Sequence, residues 1–223
     1  MNELKIVATN DGSSTIFSEK YNQQYHSLHG ALQESMHVFI QAGLQFKQTN
    51  LKEISILEIG FGTGLNALLT LNEATKSNTK INFTTIEKYP LTNDIIELLN
   101  YGSVISMDNS FALFNQMHAC EWNTLTSISN TFYFKKLKMD FENIDFINEF
   151  DIIYFDAFAP NAQPELWTIS MFEKMFNALK FNGILVTYCA KGEVKRNLKM
   201  AGFQIEALNG PVGKREMTRA HKK

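Results

Sequence analysis

The chain has 223 residues, 44% of them hydrophobic, and a formal net charge of −2, which suits one substantial core and argues against a protein that coats nucleic acid. No apolar run approaches the ~20 residues that cross a membrane, and the first residues lack the basic and apolar pattern of a secretory leader. The two cysteines, Cys120 and Cys189, and the five histidines show no metal-ligand spacing, so we expect a cytoplasmic protein with no disulfide, no metal and no membrane partner.

The first fifty residues are predicted to form an extension of the main domain. Weak alternation from Leu4 to Phe17 around Asp11-Gly12 is typical of a β-hairpin, and apolar residues recur at helical spacing from Ala31 to Phe46. We therefore divide the chain into an N-terminal extension, residues 1–50, made of a hairpin and a helix packed on the core, and a single domain, residues 51–223.

The domain opens on a glycine-rich segment between an apolar strand pattern, Ile54 to Ile59, and a helical pattern that begins at Leu65. Glycines at a strand-to-helix turn let the backbone approach a ligand, and the helix start offers free N–H groups. The glycine spacing is one residue tighter than the dinucleotide fingerprint and suits S-adenosylmethionine better. The candidate cofactor residues of this loop are Glu58, Gly60, Gly62, Thr63, Gly64 and Asn66.

Acidic residues follow the next two predicted strands. Glu87 ends the strand at 81–86, about one βαβ step after the glycine loop, where a carboxylate can accept both ribose hydroxyl protons. Asp140 follows the third strand and could accept from an adenine amino group, with Phe141 beside the ring. An ordinary solvated loop acid is the alternative for Asp140. With Lys88 and Asp156, these two acids complete the predicted cofactor-binding set.

The rest of the chain alternates between strand and helix patterns. In order, the further predicted elements are a helix at 90–99, an irregular and partly helical insertion at 101–131, strands at 132–138 and 151–156, a helix at 165–179, a strand at 183–188, a helix at 193–200, and strands at 203–208 and 215–220. Such alternation indicates an α/β, Rossmann-like fold, with a mostly parallel sheet of seven strands, helices on both faces, and the N-terminal hairpin outside it.

The segment from Asp156 to Pro160 closes the predicted strand beside the glycine loop. An acid, an aromatic residue and a proline at this place resemble the D/N-P-P-Y/F arrangement of amino-group methyltransferases, with the first proline absent. Methyl transfer to an amine needs loss of a proton and an acceptor that orients the nitrogen. We predict a catalytic set in which Asp156 accepts the N–H bonds and Phe158 packs against a flat base, with Pro160 completing it. The alternative is that Asp156 only caps the turn before the helix at 165–179.

Charge is unevenly distributed along the chain. Residues 178–223 carry ten lysines and arginines against three acids, whereas residues 1–177 carry eleven against twenty. A polyanion could therefore dock on the C-terminal part alone. Solvated helix faces are the alternative.

Together these segments resemble the MnmC-like methyltransferase family, bacterial enzymes that complete the methylaminomethyl group on the wobble uridine of transfer RNA. The resemblance covers nearly the whole chain and is weakest at 101–131. It is carried by Tyr25-x-Ser27…Gly30-Ala31-x-x-Glu34-Ser35-x-His37-Val38-Phe39, Glu58 to Asn66, Ile86-Glu87-Lys88-Tyr89-Pro90-Leu91, Phe155 to Pro160 with Asn161…Pro164-Glu165-Leu166-Trp167, and Gly213-Lys214-Arg215-Glu216-Met217.

The resemblance implies a Rossmann-like class I S-adenosylmethionine methyltransferase fold for the main domain. It implies transfer of a methyl group from S-adenosylmethionine to the exocyclic amine of an aminomethyl(-2-thio)uridine in the anticodon loop, with no DNA partner. Some relatives fuse this domain to a flavin-dependent oxidase. The chain ends near its last strand, so we expect the stand-alone methyltransferase, without flavin, acting on a base already in the aminomethyl form.

A base in a single-stranded loop can be splayed into a pocket without opening a duplex. The candidates for phosphate contacts are Lys191, Lys195, Arg196, Lys214 and Arg215. Lys214 and Arg215 could instead pair with acids or line the substrate pocket. Tyr25, Ser27 and Glu34 could close over the cofactor or the base; the alternative is that Tyr25 is a packed edge aromatic and Glu34 a helix-surface acid.

Two classes of alternative function stay open. The first keeps the fold and changes the acceptor, giving a small-molecule N-methyltransferase or an aminopropyltransferase. The second is a non-catalytic RNA-binding subunit with a methyltransferase fold. An intact glycine loop, Glu87 and Asp156 favour an enzyme, and the segment from Asp156 to Pro164 offers no further acid pair for a polyamine.

Overall fold

The computed structural model describes residues 3–223; Met1 and Asn2, the first two residues of the predicted extension, lie outside the described residues. The strands are β1 (Leu4–Ala8), β2 (Ser14–Ser18), β3 (Gln23–Gln24), β4 (Glu53–Ile59), β5 (Lys80–Glu87), β6 (Leu125–Ser129), β7 (Phe132–Lys138), β8 (Phe150–Phe155), β9 (Leu179–Thr187), β10 (Gln204–Asn209) and β11 (Glu216–His221).

Helices lie between most of these strands. The α-helices are α1 (Ala31–Ser35), α2 (Phe46–Gln48), α3 (Leu65–Ser77), α4 (Asn93–Ile96), α5 (Tyr101–Val104), α6 (Ser110–Ala119), α7 (Ile169–Ala178) and α8 (Gly192–Met200); a π-helix, Met36–Gln45, joins α1 to α2, and 3₁₀ helices cover Phe141–Asn143 and Pro164–Trp167. Within residues 3–223, no helix combines the length and the apolar character that a membrane crossing requires.

The main sheet sets the position of the site. In the described chain it has the order β10-β11-β9-β8-β4-β5-β7-β6. Strand β4 pairs in parallel with β5 on one side and with β8 on the other. After β4 the chain builds one side of the sheet, and it then returns to build the other. Such a reversal of strand order opens a crevice beyond the carboxyl ends of the strands, where ligands bind in open α/β sheets.

Both faces of the sheet are buried. On β4, Ile54 and Ile56 belong to one apolar cluster, whereas Leu57 and Ile59 belong to the other. Since successive side chains of a strand point to opposite faces, one strand supplies both layers of the core. Helix α3 and the π-helix contribute to the first cluster, and α7 and α8 to the second. This burial on both sides explains the nearly continuous apolar run that predicted the strand.

The N-terminal segment forms the predicted hairpin and helix. Strands β1 and β2 pair antiparallel, and Asp11 closes their turn by accepting from the backbone N–H of Ser13 over 3.1 Å. Val38 and Phe39 of the π-helix lie in the same apolar cluster as the main sheet. The extension therefore shares the core of the main domain, and the division at residue 50 stays a prediction.

The sheet contains one strand more than the sequence predicts, eight instead of seven within residues 3–223. The additional strand is β6, which pairs antiparallel with the edge of β7. It lies in the segment 101–131 that the sequence indicates is irregular. Its sequence, Leu-Thr-Ser-Ile-Ser, is short and polar, and only Ile128 within it is buried.

Two predicted helices are shorter in the structure. The helix predicted from 90 to 99 is reduced to the single turn of α4. The helix predicted from 165 to 179 is divided, because Thr168 has extended backbone angles and its side chain accepts from the backbone N–H of Met171 over 3.2 Å. Thr168 is thus the N-cap of α7, and the residues before it form a separate 3₁₀ turn.

Candidate active site

A cavity of about 420 Å³ opens at the carboxyl ends of β4, β5, β8 and β9. This volume lies within the range of small-molecule sites. The extension, the glycine loop and the loops after three strands all contribute to its wall. Its lining residues are Tyr21, Gln23, Gln24, Tyr25, His26, Ser27, Glu34, Gly60, Phe61, Gly62, Thr63, Leu65, Asn66, Glu87, Tyr89, Phe141, Asp156, Ala157, Phe158, Ala159, Gln163, Leu166, Tyr188 and Lys214.

The glycine loop is fixed to the end of the neighbouring strand. The backbone N–H of Gly62 donates to Glu87 Oε2 over 3.1 Å, and Glu87 Oε1 accepts from the backbone N–H of Tyr89 over 2.8 Å. Gly62 has a φ of 49°, and a Cβ built on it would lie 3.2 Å from Cδ1 of Tyr25. The loop therefore passes close to an aromatic wall of the cavity at a position that a side chain would obstruct.

Glu58 lies inside the core and does not line the cavity. Thr85 Oγ1 donates to Glu58 Oε2 over 2.7 Å, and burial raises the pKa of Glu58 well above its usual value. The residue therefore supports the end of β4 from within. The Glu58 side chain does not reach the cavity surface, where it was predicted to contact a cofactor.

Buried polar atoms without a partner do reach the cavity. Among the described residues, Thr63 Oγ1 and Asn66 Oδ1 have no hydrogen-bond partner, although their residues are buried and line the cavity. Buried polar groups are normally hydrogen-bonded. Their position beside the glycine loop fits a polar ligand.

Asp156 directly follows β8 and lines the same cavity. The amide Nδ2 of Asn66 donates to Asp156 Oδ2 over 2.8 Å, which ties the start of α3 to the end of the adjacent strand. Burial raises the pKa of Asp156 to about 7, against the opposing effect of the Asn66 hydrogen bond. Thr168 is the N-cap of α7, and the Asp156 carboxylate bonds to Asn66 instead; the catalytic role of Asp156 stays a prediction.

Aromatic residues of the extension cover the segment that follows Asp156. The Tyr21 and Phe158 rings are stacked, with centroids 4.3 Å apart and an interplanar angle of 26°. The Tyr25 ring meets Phe158 edge-on at 4.9 Å. These arrangements are favourable for aromatic pairs. Tyr25 is thus a cavity residue packed on the catalytic candidate, and Phe158 has a fixed ring position.

Two side chains hold the backbone of the same segment. The Tyr188 hydroxyl donates to the carbonyl oxygen of Ala157 over 2.8 Å, and the indole N–H of Trp167 donates to the carbonyl oxygen of Phe158 over 2.8 Å. Trp167 is 3% exposed, so its ring lies in the core. The backbone of the loop after β8 is therefore anchored by two side chains from later elements of the chain.

Glu34 and Lys214 form an ion pair in the cavity wall. Glu34 also accepts from the backbone N–H of Ser27 over 2.7 Å, and the Lys214 ammonium lies 3.9 Å from the centroid of the Tyr188 ring. Lys214 thus pairs with an acid and also lines the pocket. These two roles are the alternatives to a phosphate contact that the sequence left open for this residue. Glu34 is 7% exposed, so its interpretation as a helix-surface acid is wrong.

Several predicted site residues lie outside the cavity lining, and their roles stay predictions. Lys88 pairs with Asp140, and Asp140 also accepts from the N–H of Glu142 at the start of a 3₁₀ helix, whereas neighbouring Phe141 does line the cavity. The other predicted residues outside the lining are Gly64, Pro160, Lys191, Lys195, Arg196 and Arg215.

Most of the basic candidates border a shallow cleft beside the cavity. This cleft is lined by Ala159, Pro160, Tyr188, Cys189, Ala190, Lys191, Lys214, Arg215 and Glu216. Lys195 pairs with Glu216 over 2.7 Å. Arg196 is exposed and lines neither the cavity nor the cleft.

Among the residues of the cavity wall that sequence reasoning missed are Tyr21, Gln23 and Tyr188. Tyr188 follows β9 at the carboxyl edge of the sheet, whereas the residues predicted at strand ends are all acids. Its position at that edge was the available signal. For Tyr21 and Gln23 the sequence offers no signal, because their place depends on how the extension folds back over the sheet. The backbone N–H of Ala159 donates to Gln23 Oε1 over 3.3 Å.

Comparison with known proteins adds to this geometry. A family model described as S-adenosyl-L-methionine-dependent methyltransferase matches residues 110–223, just over half of the chain. This chain belongs to that methyltransferase family. Its methyl donor is therefore S-adenosyl-L-methionine. The glycine loop fits such a ligand, because the unpartnered oxygens of Thr63 and Asn66 and the carboxylate of Glu87 lie at this loop. In the described residues, no group of three or more histidine, cysteine or acidic side chains could hold a metal ion.

Curated relatives of the methyltransferase carry a more specific name, tRNA 5-methylaminomethyl-2-thiouridine biosynthesis bifunctional protein MnmC. The protein of Actinobacillus pleuropneumoniae serotype 5b is 28% identical across 97% of this chain, and that of Leptospira interrogans serovar copenhageni is 30% identical across 91%. The chain spans about a third of the length of these relatives, 35% and 33% respectively.

Solved structures place the methyltransferase in the same fold. MNMC2 from Aquifex aeolicus superposes with a TM-score of 0.82 and 25% identity, over 100% of this chain and 71% of that one. Spermidine synthase from Thermotoga maritima gives a TM-score of 0.59 with 16% identity, over 100% of this chain and 70% of that one. The second likeness concerns the fold alone.

Proposed function

We propose that this methyltransferase transfers a methyl group from S-adenosyl-L-methionine to the exocyclic amine of 5-aminomethyl(-2-thio)uridine at the wobble position of transfer RNA. One observation carries the proposal: Asp156, oriented by Asn66 over 2.8 Å, shares a cavity with the glycine loop. The names of the relatives support the choice of acceptor, because they state the biosynthesis of a methylaminomethyl uridine. A transfer RNA substrate is consistent with a cytoplasmic location.

The donor side would be held by the glycine loop and by Glu87. Free N–H groups at the start of α3 and the oxygens of Thr63 and Asn66 suit the polar parts of the cofactor. The Glu87 carboxylate retains lone pairs beyond its two backbone hydrogen bonds, and these would accept from the ribose hydroxyls. Glu58 would act only by supporting the loop from the core.

The acceptor side would be organised by Asp156 and its loop. The cofactor supplies an activated methyl group: the nitrogen lone pair forms the new N–C bond, and the electrons of the C–S bond remain on sulfur. The nitrogen must also lose a proton, which Asp156 accepts directly or directs to water. Fixed carboxylate and carbonyl groups orient the amine, and Phe158 packs against the pyrimidine ring. Pro160 would stiffen the end of this segment.

The single-stranded anticodon loop would approach over the basic cleft. Lys191 and Arg215 line the cleft, and Arg196 lies nearby on α8; all three are exposed. Within residues 3–223 none of them forms an ion pair, so they are available for phosphates. Lys195 and Lys214 are held by acids and would contact RNA only by sharing or giving up those partners.

The proposal is tested by incubating the protein with isotopically labelled S-adenosylmethionine and bulk transfer RNA from cells that lack this gene. Nucleoside mass analysis should then find the label in a methylaminomethyl uridine. Transfer RNA from cells that carry the gene should accept little label, because its sites are already methylated. Label confined to other nucleosides, or to none, would contradict the proposed acceptor.

The alternative functions give different results in the same preparation. A small-molecule methyltransferase would label a metabolite fraction and leave RNA unlabelled. An aminopropyltransferase would consume only the decarboxylated cofactor, with a polyamine as acceptor. A non-catalytic RNA-binding subunit would show no binding of S-adenosylmethionine by calorimetry.

A further inference from the structure

A second contact holds the glycine loop, and it comes from the segment 101–131. His118, near the end of α6, places Nε2 3.1 Å from the carbonyl oxygen of Thr63. Because a carbonyl oxygen only accepts, Nε2 must carry the proton. Burial lowers the pKa of His118 to about 4. The ring is therefore a neutral hydrogen-bond donor near neutral pH.

The His118 imidazole is packed in one orientation. Its ring lies 4.6 Å from Phe114 in an edge arrangement and 5.0 Å from Phe61 in a tilted one. A Cβ built on Gly64, whose φ is 76°, would lie 2.9 Å from His118 Nε2. Gly64 therefore meets two requirements at once: it adopts a left-handed conformation, and it leaves room for the imidazole.

A buried lysine forms a hydrogen bond with the backbone of the same histidine. Lys136 on β7 is 1% exposed, and its Nζ donates to the carbonyl oxygen of His118. Its ammonium also lies 4.7 Å from the centroid of the Trp122 ring and 5.8 Å from that of Phe61. Within residues 3–223, no carboxylate lies within ion-pair distance of Lys136.

A buried cation without a counter-ion is costly. Lys136 lies on the same face of β7 as Phe132 and Phe134, which are both fully buried. An apolar residue would suit this position for packing alone. The lysine is compensated by the end of α6 and by aromatic faces. Its presence therefore connects the interior of the sheet to the residue that contacts the glycine loop.

We propose that His118 is a positioning residue for the cofactor loop and that Lys136 holds it in place. Glu87 fixes the loop at Gly62, and His118 fixes it at Thr63, so the peptide groups of the loop have a set orientation before a ligand arrives. Preorganisation of this kind raises affinity by reducing the cost of ordering. His118 lines no part of the cavity. The inference rests on the proposed use of this loop for S-adenosylmethionine.

The experiment compares His118→Phe, which keeps a ring and loses the donor, with His118→Gln, whose side-chain amide can replace the donor. Calorimetry should show that His118→Phe binds S-adenosylmethionine about three- to tenfold more weakly, the range expected for one hydrogen bond. His118→Gln should bind nearly as the parent protein does. His221→Phe is the matched control, because its Nε2 contacts Glu206 over 2.8 Å and the residue lines no part of the cavity.

Hydrogen exchange in the absence of ligand distinguishes a local loss of order in the loop from a general loss of packing. The amides from Gly64 to Leu68 should exchange faster in His118→Phe than in His118→Gln, while those of β9 stay unchanged. If His118→Phe fails to fold, Lys136→Met tests the same contact and should weaken cofactor binding in the same direction.

Three results would overturn the inference. The first is unchanged affinity in both His118→Phe and Lys136→Met, with the parent protein binding normally. The second is an equal loss of affinity in His118→Phe and His118→Gln that follows an equal loss of thermal stability. The third is failure of the parent protein to bind S-adenosylmethionine, which would defeat the proposed function as well; the first two leave that function intact.

Discussion

Asn66 donates its side-chain N–H to Asp156 over 2.8 Å, and this bond joins the first turn of α3 to the end of β8. The two residues are separated by the whole of one side of the sheet along the chain, yet they meet beside the glycine loop. The bond orients a carboxylate whose pKa burial raises to about 7. Asp156 therefore has a fixed position, and near pH 7 both of its protonation states are populated.

Replacing Asp156 by asparagine should lower kcat by about 10²- to 10⁴-fold, the usual contribution of a positioned acid or base. Cofactor affinity should change far less, because Asn66 can still donate to the new amide oxygen. Single-turnover kinetics and calorimetry separate the two effects. Asp145→Asn, at an exposed loop acid, is the control and should behave as the parent protein. Full turnover by Asp156→Asn would remove this residue from the catalytic set.

Replacing Glu87 by glutamine should have the opposite pattern. The charge-assisted hydrogen bonds to ribose hydroxyls and to Gly62 would be lost, which corresponds to about 10- to 100-fold weaker binding of S-adenosylmethionine. At saturating cofactor, kcat should change much less. Glu97→Gln, at an exposed acid, serves as control. Equal and small effects of the Glu87 and Asp156 substitutions would contradict the assignment of both residues.

Cofactor binding should release a proton near pH 7. The sulfonium of the donor is positive, so its binding in the same cavity favours the carboxylate form of Asp156 and lowers the pKa of that group from about 7. Affinity should therefore rise with pH up to this region and level off above it. Calorimetry in two buffers of different ionisation enthalpy counts the protons released. The release should disappear in Asp156→Asn, and its persistence there would assign it to another group.

Asp156→Asn should also be more stable than the parent protein at alkaline pH. The pKa of Asp156 is raised from 3.8 to about 7 in the folded state, so its contribution to stability is fully present below pH 3.8 and is lost as the pH rises through 7. Each kcal/mol recovered would raise Tm by about 2–4 °C in a domain of this size. Thermal melts at a series of pH values should show a gain at pH 8 that shrinks towards pH 5. A gain independent of pH would point to packing instead.

The pair formed by Glu34 and Lys214 should couple the extension to the last loop of the chain. Lys214→Met leaves a buried carboxylate without its cation and should lower the free energy of unfolding by about 1–3 kcal/mol. The double variant with Glu34→Gln should recover part of this loss, because the unpaired charge is then absent. Urea denaturation of the four proteins of the cycle measures the coupling. Strict additivity would show that the ion pair makes no net contribution.

Much of the fold follows from local sequence pattern. The apolar runs of β4 and β8 identify strands buried on both faces. The boundaries of β4, β5, β7 and β8 in the structure lie within one or two residues of those predicted. Strand β6 escaped prediction because an edge strand needs no apolar alternation. The division at Thr168 was also missed, since one threonine in a helical pattern does not reveal that its side chain will cap the next turn.

Where the sheet alone determines the position of a candidate residue, the sequence predicts that position. Glu87 and Asp156 lie at the carboxyl ends of β5 and β8, the two parallel strands that flank β4, so any chain with this topology brings them to one edge. Tyr21, Gln23 and His118 reach the same region through tertiary packing. The aromatic stack of Tyr21 on Phe158 depends on the path of the extension, which no local pattern encodes.

The reversal of strand order at β4 has an evolutionary consequence. Under the proposed function, the glycine loop and Glu87 grip the donor from one side of the crevice, while the loops after β8 and β9 present the acceptor from the other. The two sides belong to separate stretches of chain. Substitutions in the later loops can therefore change which amine is methylated, while the residues that bind the donor stay unchanged. The family match covers residues 110–223 and so includes the loops after β8 and β9, where substitutions that change the acceptor would occur.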